Sequence, residues 1–171
     1  MTPKLFGITG WKNSGKTTMT EKLVRCLTGR GYRIATIKHA HHDFDIDHEG
    51  TDSWRHRKAG AAEVAIVSER RFAIMHENLD APEPSLQEIV ARLSACDLIL
   101  VEGYKRESHK KIELRRIGGH EGPPLAADDP SIVAVASDYP SDYPQADSKL
   151  PSFSIDAIEE IADFIEAQMA L

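Results

Sequence analysis

Cysteine is scarce in this chain of 171 residues, with only Cys26 and Cys96 present. Two cysteines cannot build the disulfide framework of a small secreted scaffold, and their separation matches no metal-ligand spacing. Both read as buried, reduced thiols of a cytoplasmic protein. Long apolar runs are absent too. No stretch approaches the roughly 20 residues a membrane-spanning helix needs, and the first apolar run leads into a glycine-rich loop instead of a signal-peptide cleavage site. Basic charge is also short. Lys and Arg number 21 against 27 Asp and Glu, for a net charge of -6, so the global basic footprint of a nucleic-acid binder is missing. The local basic clusters at 54–58 and 105–111 read as solvated faces. The composition, 41% hydrophobic and 28% charged, suits a globular protein with an ordinary core. The length suits one domain over residues 1–171.

What is present is an alternation of strand and helix signals. Leu5 to Thr9 is a short apolar run ending at Gly10, which predicts a buried strand. Met19, Leu23, Val24 and Leu27 have helical spacing, stopped by Gly29 and Gly31. Further strands are predicted over 33–38, 97–102, 111–117, 132–136 and 153–155. Two runs, 63–68 and 71–76, predict a hairpin turning at Glu69-Arg70. Helices are predicted from an Asp52 or Ser53 cap through Ala59, from Ser85 through Leu93, and over 157–169. The stretch 118–130, rich in Gly, Pro and Asp, reads as a mobile loop. Solidly apolar strands alternating with helices predict an α/β fold, a mainly parallel sheet with flanking helices and an antiparallel hairpin portion.

The sequence Gly10-Trp11-Lys12-Asn13-Ser14-Gly15-Lys16-Thr17 fits G-x-x-x-x-G-K-[ST] without a gap, between a predicted strand and a predicted helix. The glycines let successive backbone N–H groups turn inward. Together with the start of the following helix, those groups favour an anion. Lys16 supplies a point charge for the β and γ phosphates of a nucleotide, and the Thr17 hydroxyl is a hard oxygen ligand for Mg2+. A second metal anchor is expected at a buried strand end. Glu102, after Leu98-Ile99-Leu100-Val101, supplies it, and Gly103 lets the backbone pass near a terminal phosphate. Asp97 opens the same strand and is expected at the opposite end.

Residues 39–53 form a loop rich in His and Asp. A calcium loop is excluded, because Gly50 comes two positions late and Trp54 stands where the bidentate Glu belongs. Three readings stay open. His39, His41, His42 and His48 suit zinc or nickel by donor type. Alternatively the loop responds to nucleotide, with Asp45, Asp47 or Asp52 approaching Mg2+. The third is a solvated polar loop.

The phosphate loop, the segment IKHAHHDFDIDHEGTDSWRHRKAGA, the strand DLILVEGYK and the strand IVAVASD lie in order. Together they resemble the molybdopterin-guanine dinucleotide biosynthesis protein B family, often written MobB. The resemblance implies a P-loop, GTP-binding α/β protein with Mg2+, commonly a homodimer. It implies an accessory role beside the molybdenum cofactor guanylyltransferase as molybdopterin receives GMP, with at most weak GTP hydrolysis and no catalytic residue that can be named. By position, Gly10 and Asn13, Ser14, Gly15, Lys16, Thr17 and Thr18 carry over as phosphate contacts, and Thr17 and Glu102 as Mg2+ neighbours; Asp45 and Asp47 are further candidates for the metal. The N-K-x-D guanine motif of broader GTPases is missing. Asp138 is suited to accept from guanine N1–H and the 2-amino group, or simply to cap a strand end. Lys105, Arg106, Lys110 and Lys111 are candidates to attract the pterin phosphate. Two alternatives remain at this point: a P-loop small-molecule kinase with Arg115 and Arg116 as its lid, and a nickel or zinc metallochaperone using the histidines.

Overall fold

The computed structural model describes residues 3–40, 44–120, 122–139 and 149–171. They divide into two compact units, one of Met1–His39 with Arg92–Leu171 and one of Ala40–Ala91.

The first unit is built on six strands: β1 (Leu5–Gly10), β2 (Ile34–Lys38), β5 (Leu98–Glu102), β6 (Lys111–Arg115), β7 (Ile132–Ser137) and β8 (Ser152–Ser154). Their order is β2-β5-β1-β6-β7-β8, and every pairing is parallel. All C-terminal strand ends therefore lie on one edge, with β1 at the point where the order reverses. That edge is where open α/β sheets bind ligands. Asp97 lies at the far end, as expected, accepting from the Arg33 backbone N–H at 2.7 Å.

Alternation decides the core. Phe6 and Ile8, Leu98 and Leu100, Ile112 and Leu114, and Ala134 and Ala136 all join one buried cluster with residues of α1 (Lys16–Gly29) and α4 (Ile158–Met169). Met19, Leu23 and Leu27 recur every fourth residue and are the buried stripe of α1; burying each contributes about 1.5–3 kcal/mol. Arg30, just past α1, ties the two helices together through Glu159, Asp163 (2.7 Å) and Glu166 (2.9 Å).

The opposite face of β6 is polar yet buried, a property the strand pattern alone does not show. Lys111, Glu113 and Arg115 are 0%, 1% and 9% exposed. The basic cluster at 105–111 reads as a solvated face in sequence, but Lys111 is buried. Its ammonium instead bonds the Glu107 carbonyl, the Asp129 carboxylate (3.0 Å) and the Ser131 hydroxyl. Three acceptors match its three N–H donors, so it does not attract a pterin phosphate. Glu113 accepts from the Leu125 and Ala126 backbone N–H groups at 2.9 and 3.0 Å and from Arg115 at 2.9 Å. The stretch expected to be a mobile loop thus contains a 3-10 turn, Leu125–Ala127, moored to the sheet by a carboxylate. The thiols also differ from expectation. Cys26 and Cys96 are free but half-buried, and Cys26 donates to Glu159 Oε2 at 3.3 Å.

The second unit contains α2 (Asp52–Lys58) and the hairpin of β3 (Glu63–Val67) and β4 (Phe72–His76); α3 (Leu86–Arg92) follows at its boundary. The cap of α2 is Thr51, whose side chain accepts from the Trp54 N–H, in place of the expected Asp52 or Ser53. The α3 start is a capping box in which the Glu88 carboxylate accepts from the Ser85 N–H at 2.8 Å and the Ser85 hydroxyl accepts from the Glu88 N–H at 3.2 Å.

Candidate functional site

The loop between β1 and α1 is shaped by backbone angles that side chains resist. Gly10 has φ +145 and Gly15 has φ +88. A Cβ on Gly10 would lie 2.5 Å from Ser14 Oγ and 2.6 Å from the Leu114 carbonyl oxygen. Asn13 adopts φ +63, a left-handed conformation that Asn tolerates better than most residues. Lys16 curls back to donate to the Gly10 and Trp11 carbonyls at 3.1 and 2.7 Å. Burial pushes its pKa below the ordinary lysine value; the Glu102 carboxylate opposes this, while Lys105 and Lys38 push further down. Ser14 is 3% exposed, and its hydroxyl has no hydrogen-bond partner among the described residues. A buried donor of that kind fits an anion seated in the loop.

Parallel pairing brings Glu102 to the same edge, opposite both Ile8 and Lys38. The Thr17 hydroxyl lies 3.2 and 3.4 Å from the two Glu102 oxygens, and Lys38 Nζ lies 3.5 Å from Oε1. A hard hydroxyl and a carboxylate side by side next to a phosphate loop fit Mg2+ by donor type. Gly103 has φ +94, and a Cβ there would stand 2.9 Å from His39 Cβ, so glycine is needed where β5 leaves the sheet against the end of β2.

Beside the loop is a cleft of about 140 Å³ lined by Gly15, Thr18, Met19, Lys22, Arg116, Asp138, Ile155 and Asp156. It brings Thr18 and Asp138 together across 120 residues of sequence. Asp138 also caps a strand end, accepting from the Ile117 N–H at 2.8 Å, with Arg116 Nε 3.8 Å from its other oxygen. Sequence reasoning did not anticipate Lys38, Lys22, Ile155 or Asp156 here. The signal available was positional, since Lys38 ends β2 and Ile155 and Asp156 follow β8.

Asp45 and Asp47 lie in the other unit and are engaged by Arg57. Its Nη2 is 2.8 Å from Asp45 Oδ1, its Nη1 is 2.9 Å from Glu77, and its Nε is 3.5 Å from Asp47 Oδ2. The Asp47 backbone N–H and then Arg57 hold the Asp45 carboxyl below its ordinary pKa. For Asp47 burial acts upward, but Thr51, Ser53 and the His48 N–H together outweigh it. Of the histidines, His39 stacks on Tyr104 with centroids 4.6 Å apart, while His41 and His42 fall outside the described residues. Among the described residues no three His, Cys, Asp or Glu side chains are grouped as a metal centre would require. Arg115, half of the lid a kinase would need, is held in its buried pair with Glu113.

Residues 5–138 match the model of the family described as molybdopterin guanine dinucleotide synthesis protein B. The chain is 42% identical over 163 residues to the molybdopterin-guanine dinucleotide biosynthesis adapter protein of Escherichia coli, covering 94% of this chain and 90% of that protein. It is 41% identical to the Haemophilus influenzae protein of the same name, covering 95% and 87%. A crystal structure of molybdopterin-guanine biosynthesis protein B superimposes with a TM-score of 0.72 at 27% identity, covering 96% of this chain and 99% of the other.

Proposed function

Because this chain belongs to the molybdopterin guanine dinucleotide synthesis protein B family, we propose that it is an adapter in molybdopterin-guanine dinucleotide biosynthesis that holds GTP with Mg2+. The observation that carries the reading is the pairing of a complete phosphate loop with Glu102 against Thr17, at 3.2 Å. Lys16 and the inward backbone N–H groups bind the phosphates, and Ser14 donates its buried hydroxyl. Thr17 and Glu102 hold the metal, which neutralises phosphate charge. Asp45 and Asp47 are already engaged by Arg57, so the metal assignment rests on Thr17 and Glu102. The cleft at Thr18 and Asp138 takes the base, whose N1–H and 2-amino donors suit a carboxylate. The adapter presents this nucleotide to the molybdenum cofactor guanylyltransferase as molybdopterin is converted. In this reading the protein holds GTP for its partner enzyme and hydrolyses it at most weakly.

The hairpin supports a homodimer. On one of its faces Ala65 opposes Ile74 and Val67 opposes Phe72, with Val67, Phe72 and Ile74 74%, 69% and 60% exposed. A two-stranded sheet is marginal alone and gains most by packing an apolar face. Phe72→Asp is expected to raise the dimer dissociation constant in sedimentation equilibrium; an unchanged assembly would remove this surface from the proposal.

Calorimetric titration with GTP and ATP, each with and without Mg2+, tests the nucleotide reading. GTP with Mg2+ is expected to bind tightest, and Lys16→Ala to lose roughly tenfold or more in affinity, as for loss of a charge-assisted phosphate contact. Wild-type affinity in that variant would overturn the assignment.

A further inference from the structure

The mouth of the phosphate loop contains a second lysine that the site described above does not use. Lys105 Nζ lies over the Trp11 ring, 4.4 Å from its centroid, within reach of cation–π attraction. Trp11 directly follows the first glycine of the loop, and its backbone carbonyl accepts from Lys16. Both ammonium groups therefore converge on one residue of the loop. The indole is a fixed platform. Its Nε1–H donates to the Pro123 carbonyl at 2.9 Å, and its ring packs so closely on Gly122 that a Cβ there would lie 2.4 Å from it.

Lys105 itself is presented by a strained segment. Gly103 and Tyr104 have consecutive positive φ values, +94 and +47, unusual for tyrosine and costly enough to need a reason. This segment leaves β5 directly after Glu102, the residue beside Thr17. One end of it thus sits at the metal position and the other over the start of the phosphate loop. Those two positions flank the terminal phosphates of a bound triphosphate, which Lys16 reaches in loops of this kind. Two ammonium groups held on one residue of the loop repel each other. A highly charged phosphate between them converts that repulsion into attraction for both.

We propose that Lys105 is a second phosphate cation of this loop, stored on the face of Trp11 and recruited by the terminal phosphate, so that it distinguishes a nucleoside triphosphate from a diphosphate. This rests on the nucleotide reading above and adds a residue and a selectivity to it.

The test uses the full chain carrying Trp54→Phe, which leaves Trp11 the only indole, in fluorescence titrations with GTP and with GDP, both with Mg2+. GTP is expected to change Trp11 emission more than GDP, as the ammonium leaves the ring. Lys105→Met should weaken GTP binding roughly tenfold or more, the size expected for a hydrogen bond to a charged group. It should leave GDP binding within about twofold and abolish the emission difference, and Lys105→Arg should restore GTP affinity. Lys105→Met binding GTP like its parent, or losing GTP and GDP equally, would overturn the proposal. If Lys16→Ala loses both nucleotides while Lys105→Met loses neither, only the role of Lys105 falls. If the parent binds neither nucleotide, the reading of the loop falls with it.

Discussion

Glu113 is the side chain on which the polar face of the sheet depends, and Glu113→Gln isolates its charge with little change of shape. The carboxylate is 1% exposed and accepts from the Leu125 and Ala126 N–H groups at 2.9 and 3.0 Å and from Arg115 Nη2 at 2.9 Å. Glutamine keeps one acceptor oxygen but must turn its NH2 toward one of those donors. The variant also leaves the Arg115 guanidinium, its side chain 8% exposed, without its carboxylate. Breaking one partner of a buried pair costs about 3–5 kcal/mol, and the lost backbone contacts fall within that total because the groups act together. Domains of this size have about 5–15 kcal/mol of stability, so the variant is expected to fold with a much smaller margin and a Tm lower by roughly 6–20 °C. Urea unfolding followed by far-UV circular dichroism measures the difference. A double-mutant cycle with Arg115→Met isolates the pair: that substitution should cost less in the Glu113→Gln background than in the parent. A loss below about 1 kcal/mol in Glu113→Gln, or no coupling between the two substitutions in the cycle, would refute the coupled buried pair.

Further expectations concern the metal and pH. Glu102→Gln should shift the Mg2+ titration of nucleotide binding to higher concentration while leaving metal-free binding nearly unchanged; an unaltered Mg2+ titration would remove Glu102 from the metal site. His109 lies against Gly7, and burial, followed by the nearby Lys111, lowers its pKa from the ordinary 6.5 to about 4. Between those values the unfolded chain binds a proton that the folded chain does not, so stability should fall as pH drops from about 6.5 to about 4. His109→Gln should flatten the dependence of urea midpoint on pH in that window, and an unchanged slope would count against the buried neutral imidazole. Gly103→Ala must place a Cβ 2.9 Å from His39 Cβ at φ +94; it should lower Tm and weaken nucleotide binding together, and wild-type behaviour in both would contradict the close contact of β2 and β5.

What the sequence determined by itself was local and periodic. Eight consecutive residues from Gly10 to Thr17 carry the G-x-x-x-x-G-K-[ST] pattern, and its glycines shape the loop between β1 and α1 locally. Period-four spacing of Met19, Leu23 and Leu27 marked the buried stripe of α1, and the apolar run ending at Glu102 placed a carboxylate at a strand end. What only the tertiary structure decided involved partners far apart. Lys111 and Glu113 look like solvent-facing charges in a strand. They are buried because Asp129, Ser131, Leu125 and Ala126, 12 to 20 residues later, satisfy them. Asp45 and Asp47 read as metal candidates by type, whereas Arg57, twelve residues after Asp45, engages that carboxylate, and Thr51 and Ser53 hold Asp47. Asp138 and Thr18 share a cleft only because parallel pairing aligns the C-terminal ends of the six strands of the main sheet on one edge. A charged side chain signals its chemistry in sequence, but its burial depends on which partners the fold brings within hydrogen-bonding distance.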